Sequence, residues 1–159
     1  MAMSDIRKRT IDGLKAGDTL TVERTFTEQE MLAFAEITRD YNPVHFEKRF
    51  SDVKGFKGRI CHGLLIGSML TEIGGQIGWL ASGMQFHFKK PVYFGETIRC
   101  DLTINAIDER GRAEAAAVFT DQSGQTVLVA DLSGIVPGEK EKSVLAAMVA
   151  EGDPTNQLS

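Results

Sequence analysis

The chain is poor in cysteine and histidine and has no long apolar run. Its two cysteines, Cys61 and Cys100, sit far apart and outside any metal-ligand spacing, so neither a zinc motif nor a disulfide framework is expected. Such thiols suit a reducing cytoplasm. No stretch approaches the roughly 18 consecutive apolar residues of a membrane-spanning helix. The leading MAMSDIRKRTIDGLKAGD lacks the apolar segment of a secretory signal. Positive charge is also in deficit: 18 lysines and arginines against 22 acidic residues leave a net charge of −4, which argues against a nucleic-acid or anionic-membrane surface. Repeats and low-complexity tracts are missing too. What remains is 159 residues of ordinary composition, enough for one domain with its own core.

Residues 1–18 read as a loose or short amphipathic lead-in closed by Gly17-Asp18. TLTVERT, Thr19 to Thr25, alternates and is rich in β-branched residues, which predicts a strand. Thr27-x-x-Glu30 is a capping box, and Met31, Leu32, Phe34, Ala35 and Ile37 are expected to bury one face of the helix that follows. That helix must stop near Arg39 or Asp40, because Pro43 drives Asn42 out of the α region and offers no amide hydrogen. A short helix is expected within Glu47–Phe56. A longer one is expected from His62 to about Leu80, despite five glycines that each cost about 0.5–1 kcal/mol relative to alanine. Its small-residue stripe of Gly63, Gly67, Gly74 and Gly78 predicts a face for close approach by a sheet, with burial nearly all round.

Four strand-like runs follow: Met84 to Val92, Thr97 to Ile107, Arg112 to Thr120 and Thr126 to Val136, joined by short glycine-containing links. Short links predict an antiparallel meander. The expectation is an α+β architecture, with one antiparallel sheet wrapped around a long apolar helix, in a single domain over residues 1–137. Residues 138–159 are expected to be a mobile tail with a weak helix near Ser143–Ala150.

The chemistry concentrates between Phe34 and Ser68. Asp40 and His45 stand five residues apart where a helix cannot continue, and His62-Gly63 opens the glycine-rich helix. A carboxylate and an imidazole can hold one water between them, and the first amides of a helix are unpaired and lie at its positive end. Taken alone, each feature has a plainer reading: an aspartate after a helix is usually a cap, and Asn-Pro is usually a turn. His62 is better suited to orienting the helix start than to reacting, and His87 to a place on a sheet face. Asp40, His45 and His62 match no common zinc pattern, so no metal is expected. Of Lys89, Lys90 and Arg59, any could meet phosphate or be solvated surface, and strand alternation would let at most one of the two lysines do so.

Asp40-Tyr-Asn42-Pro43-Val-His45, followed by Arg59-Ile-Cys61-His62-Gly63-Leu64, resembles the signature of the MaoC-like, R-specific enoyl-CoA hydratases. The likeness continues through Phe88-Lys-Lys-Pro91-Val92 and Gly95-Glu96-Thr97 and covers about Thr19 to Pro137. Cys61 departs from it, since family members often carry an aliphatic residue there. The resemblance implies the hot-dog fold and hydration of trans-2-enoyl-CoA thioesters to R-3-hydroxyacyl-CoA. It makes Asp40 and His45 the catalytic pair and the Gly63 amide the donor to the thioester oxygen. Asn42 and His62 would belong to the substrate site, with Leu65 and Met69 beside the acyl chain and Trp79 and Met84 as further candidates, although ordinary core packing explains these four apolar residues equally well. No cofactor is implied beyond the coenzyme A of the substrate, and a homodimer is expected. A hot-dog acyl-CoA thioesterase and a non-catalytic acyl-CoA-binding module are the competing expectations.

Overall fold

The computed structural model describes residues 5–156. In chain order the elements are α1 (Asp5–Asp12), β1 (Thr19–Thr25), α2 (Glu28–Thr38), α3 (Pro43–Phe46), α4 (Lys48–Val53), α5 (Gly63–Gly67) and α6 (Met69–Ile77). Then come β2 (Leu80–Phe88), β3 (Thr97–Ile107), β4 (Arg112–Thr120), β5 (Thr126–Ile135) and α7 (Glu139–Ala150). No helix of the described residues is long and apolar enough to cross a membrane.

The five strands form one antiparallel sheet in the order β1-β3-β4-β5-β2. Alternation sets its buried face: Leu20 and Val22 on β1, Ile98, Cys100, Leu102 and Ile104 on β3, and Ala113, Ala115, Ala117 and Phe119 on β4 all point inward. Against that face lies α6, closest to β1 and β3, with Met69, Leu70, Ile73 and Ile77 at most 1% exposed. This is the hot-dog arrangement. The poor intrinsic propensity of the glycine-rich segment is offset by complete burial of its apolar face, where each such side chain contributes about 1.5–3 kcal/mol.

Four expectations need correction. The long helix is two helices, parted at Ser68. There the backbone amide is shared between the Leu64 and Leu65 carbonyls (2.9 and 3.3 Å), and the Ser68 hydroxyl takes the Leu65 carbonyl at 2.6 Å. Side-chain competition for the ladder tightens that turn. The segment is not buried all round, since Leu64 is exposed. The meander holds only for β3, β4 and β5: β2 starts at Leu80 and pairs with β5, so the 89–96 link crosses to the other side of the sheet. On α2 the inward stripe is Met31 and Ala35 with partly buried Phe34, while Leu32 and Ile37 fall off it into solvent.

The glycine stripe is half accounted for. A Cβ on Gly63 would come within 2.6 Å of the Phe88 ring and one on Gly67 within 3.0 Å of Phe86, so these two admit β2 side chains. Gly74 would meet nothing within 4 Å.

The segment expected as a tail folds as α7, and residues beyond it are tied to the N-terminal helix. Buried Arg7 pairs with buried Asp153, donates to Thr155 Oγ1 at 2.8 Å, and reaches the Gly75 and Gln76 carbonyls at 2.9 Å each. A guanidinium on the last carbonyls of α6 complements that helix end. Burial pushes the Asp153 carboxyl up, but hydrogen bonds from Thr155 and Arg7 outweigh it and hold it below the ordinary value.

Gly134 on β5 is the tightest glycine. A Cβ there would collide with the Trp79 indole nitrogen and the Leu80 carbonyl. Gly134→Ala is therefore expected to lower stability by about 1–3 kcal/mol, read by thermal or urea unfolding.

Candidate active site

The site is made by a helix that is forced to end. Arg39, the C-cap of α2, takes a left-handed conformation (φ 60°), the only described non-glycine residue with positive φ. Thr38 Oγ1 donates to the Phe34 carbonyl at 2.8 Å and accepts the Asp40 amide at 3.3 Å. Asp40 Oδ1 then accepts the Asn42 amide at 3.2 Å, and Asn42 Oδ1 accepts the Val44 amide at 3.2 Å, capping the one-turn α3 that begins at Pro43. Asn42, expected at the substrate, is thus the cap of the turn that carries His45.

His45 is buried, and its Nδ1 lies 2.8 Å from the Ile60 carbonyl. A carbonyl only accepts, so Nδ1 carries the hydrogen and Nε2 keeps a lone pair. That lone pair faces Asp40 Oδ2 at 3.8 Å. Burial pushes the His45 imidazolium down from its ordinary pKa of 6.5. The Ile60 hydrogen bond and the Asp40 charge pull it back up, while neighbouring His62 adds to the fall, and the net shift is downward. The shift favours the neutral ring.

Ile60 is itself anchored by a bridge to Tyr93, and the Cys61 amide donates to the Val92 carbonyl at 2.7 Å. This fastens the 60–62 segment to the 89–96 link that follows β2 and delivers His62 to the start of α5. His62 has no side-chain capping bond. Its Nε2 lies 2.9 Å from the Asp40 carbonyl and its ring stacks on His45 at 3.7 Å.

Asp40, His45 and Gly63 share one cavity of about 680 Å³. Its apolar wall includes Phe34, Ile60, Leu64, Ile66, Phe88 and Leu128. Leu65 and Met69, expected beside the acyl chain, are core residues and do not line it; the neighbours Leu64 and Ile66 do. One residue along a helix turns a side chain by about 100°, enough to exchange core for cavity. Trp79 and Met84 line a different pocket, of about 210 Å³, beside Gly74 and Gly75. His62 is outside the lining. Lys89 and Lys90 both line the cavity, although alternation was expected to turn one of them away. They follow the end of β2, and both amides bond the same Val127 carbonyl (2.8 and 3.1 Å), so strand alternation no longer applies. Arg59 is engaged with Glu28 at 2.5 Å. Phe34, Thr38 and Phe88 were missed as lining residues; only the Phe88 motif hinted at a role.

One ligand atom each from Asp40, His45 and His62 lies within 4.8 Å of the others, the one such cluster among the described residues. A tetrahedral site with bonds of about 2.0–2.2 Å needs a tighter set. In addition, His62 Nε2 is already taken by the Asp40 carbonyl. Both thiols are buried, Cys100 in the core and Cys61 at the cavity lining, and burial pushes both up to about 12.

The family model described as MaoC like domain matches residues 15–125. The chain is 34% identical over 99 residues to a mitochondrial 3-hydroxyacyl-[acyl-carrier-protein] dehydratase of Arabidopsis thaliana, a match covering 61% of this chain and 58% of that protein. It is 29% identical over 100 residues to the (R)-specific enoyl-CoA hydratase of Aeromonas caviae, covering 60% of this chain and 75% of that one. The solved (R)-hydratase from A. caviae, involved in PHA biosynthesis, superposes with a TM-score of 0.74 at 25% identity, over 79% of this chain and 98% of that chain.

The tautomer and burial of His45 generate a direct expectation. A ring-nitrogen NMR titration should place its pKa below 6.5, and Asp40→Asn should lower it further by removing the charge that favours the imidazolium. A value at or above 6.5 would contradict this geometry.

Proposed function

The chain belongs to the MaoC-like domain family, and from that premise we propose that it adds water across the C2–C3 double bond of a trans-2-enoyl thioester and catalyses the reverse dehydration. The observation that carries this reading is the facing of two acceptors, His45 Nε2 and Asp40 Oδ2, 3.8 Å apart on a cavity wall. One water can donate a hydrogen to each, which leaves an oxygen lone pair free to attack.

In the proposed step the water oxygen bonds to C3 of the enoyl group. The proton it loses passes to the Asp40–His45 pair, and the pair returns a proton to C2, so that H and OH are both accounted for. Electron density moves meanwhile to the thioester oxygen. The Gly63 amide, first of α5 and on the cavity, is the donor to that oxygen; such donors are worth about 2.7–4 kcal/mol elsewhere. The addition transfers no electrons, so no redox cofactor is needed. Coenzyme A enters as part of the substrate. The R configuration of the product is proposed by kinship with the A. caviae hydratase. The dehydratase relative keeps an acyl-carrier-protein thioester as the second reading of the same chemistry.

We also propose a homodimer. The edge strand β2 pairs on one side only and leaves Leu80, Met84 and Phe88 exposed, and such an edge calls for a cover. Sedimentation at twice the chain mass is the expected result, and a monomer at micromolar concentration would contradict it.

Two variants test the chemistry. Asp40→Asn and His45→Ala should each cut kcat for crotonyl-CoA hydration by about 10²–10⁴-fold while the fold survives. With His45 acting neutral as a base, kcat/KM should fall only on the acid side of 6.5. Full activity in either variant would remove that residue from the mechanism.

A further inference from the structure

His62 is among the most deeply buried polar residues of the chain, 1% exposed, and sits outside the cavity wall. Three contacts surround its ring: the stack on His45 at 3.7 Å and 24°, Phe34 at 5.1 Å and Phe46 at 6.3 Å. Its one hydrogen bond runs from Nε2 to the backbone carbonyl of Asp40 at 2.9 Å, spanning 22 residues of chain. The other ring nitrogen, Nδ1, is buried with no hydrogen-bond partner among the described residues.

The Asp40 side chain is about half exposed; among the described residues its carboxylate accepts one hydrogen bond, from the Asn42 amide, with His45 Nε2 and His62 Nε2 at 3.8 and 3.9 Å from Oδ2. The local bonds, Asn42 N–H to Asp40 Oδ1 and His45 N–H to the Asn42 carbonyl at 3.0 Å, join the turn to α3 only within residues 40–45. The long-range tie is His62, which grips the Asp40 backbone with its edge and the His45 ring with its face. We infer that His62 is a positioning residue, which sets the separation of Asp40 and His45 by bonding the first through its Nε2–H and stacking on the second, without touching substrate.

This rests on the hydratase reading for its kinetic consequence but not for its geometry. A displacement of about 1 Å in a reacting pair can cost about 100-fold in rate. His62→Phe keeps a planar ring in the same space and removes the donor; His62→Gln keeps an N–H donor at a similar reach and removes the ring. If the role is positioning through the hydrogen bond, His62→Phe lowers kcat about 100-fold, leaves KM within about twofold and retains a cooperative melt. His62→Gln then recovers most of the lost kcat.

Three results would overturn the inference. Wild-type kcat in His62→Phe would reduce the residue to packing. Equal loss in the Phe and Gln variants would show that the Nε2–H donor is not what holds the pair. A rise in KM as the main effect would put it on the substrate. Amide hydrogen exchange at Asn42 gives a readout independent of turnover: it should quicken in His62→Phe and stay near wild type in His62→Gln. Should the wild-type protein turn over no enoyl thioester, the functional reading fails, and the exchange result still decides whether His62 positions the turn.

Discussion

Burial of α6 is the constraint from which the rest follows. With Gly74 and Gly75 inside it and Gly78 at its end, this helix has little reason to form in water, and only the apolar face of the sheet makes it stable. Once it is seated, the direction of α5 is set, because Ser68 joins the two with helical backbone angles. Gly63 is then fixed at the cavity, packed under Phe88. The sheet is equally dependent. Its inward alanines on β4 are small and would leave a void without the side chains of Met69, Leu70, Ile73 and Ile77 to complete the core.

The polar site sits on this frame as a short chain of hydrogen bonds between segments far apart in sequence. Ile60 is held through Tyr93 and Cys61 through Val92, and the Ile60 carbonyl in turn fixes the His45 tautomer; His62 is carried on the same segment and bonds the Asp40 carbonyl. The outcome is a neutral imidazole and a half-exposed carboxylate that face one another without bonding. A direct hydrogen bond between them would need a proton on one of the two and would leave no place for water. Their 3.8 Å separation leaves each an acceptor in need of a donor.

Local chemistry made much of this legible from residues alone. β1 and the Thr27–Glu30 capping box lie where alternation and N-cap chemistry put them, and the stop after α2 is where Pro43 requires it. What the sequence could not reveal was decided at longer range. The split at Ser68 depends on which carbonyl a hydroxyl reaches, and the placing of β2 beyond β5 on which sheet edge was free. Leu64 and Ile66 rather than Leu65 and Met69 face the cavity because helix phase is set by the core beneath. The Arg7–Asp153 tie joins residues near opposite ends of the chain, and no local pattern encodes it. Both lysines reach the cavity because the strand ends one residue before them.

The most direct test of the account follows where water goes. Crotonyl-CoA incubated with the protein in ¹⁸O-water, with intact thioesters read by mass spectrometry, should yield a species heavier by one labelled water, the label residing in the 3-hydroxyl group. Asp40→Asn should slow its formation by about 10²–10⁴-fold. Free coenzyme A with label in the released carboxylate would contradict the account, since it would mean that water is directed at the carbonyl carbon instead of C3.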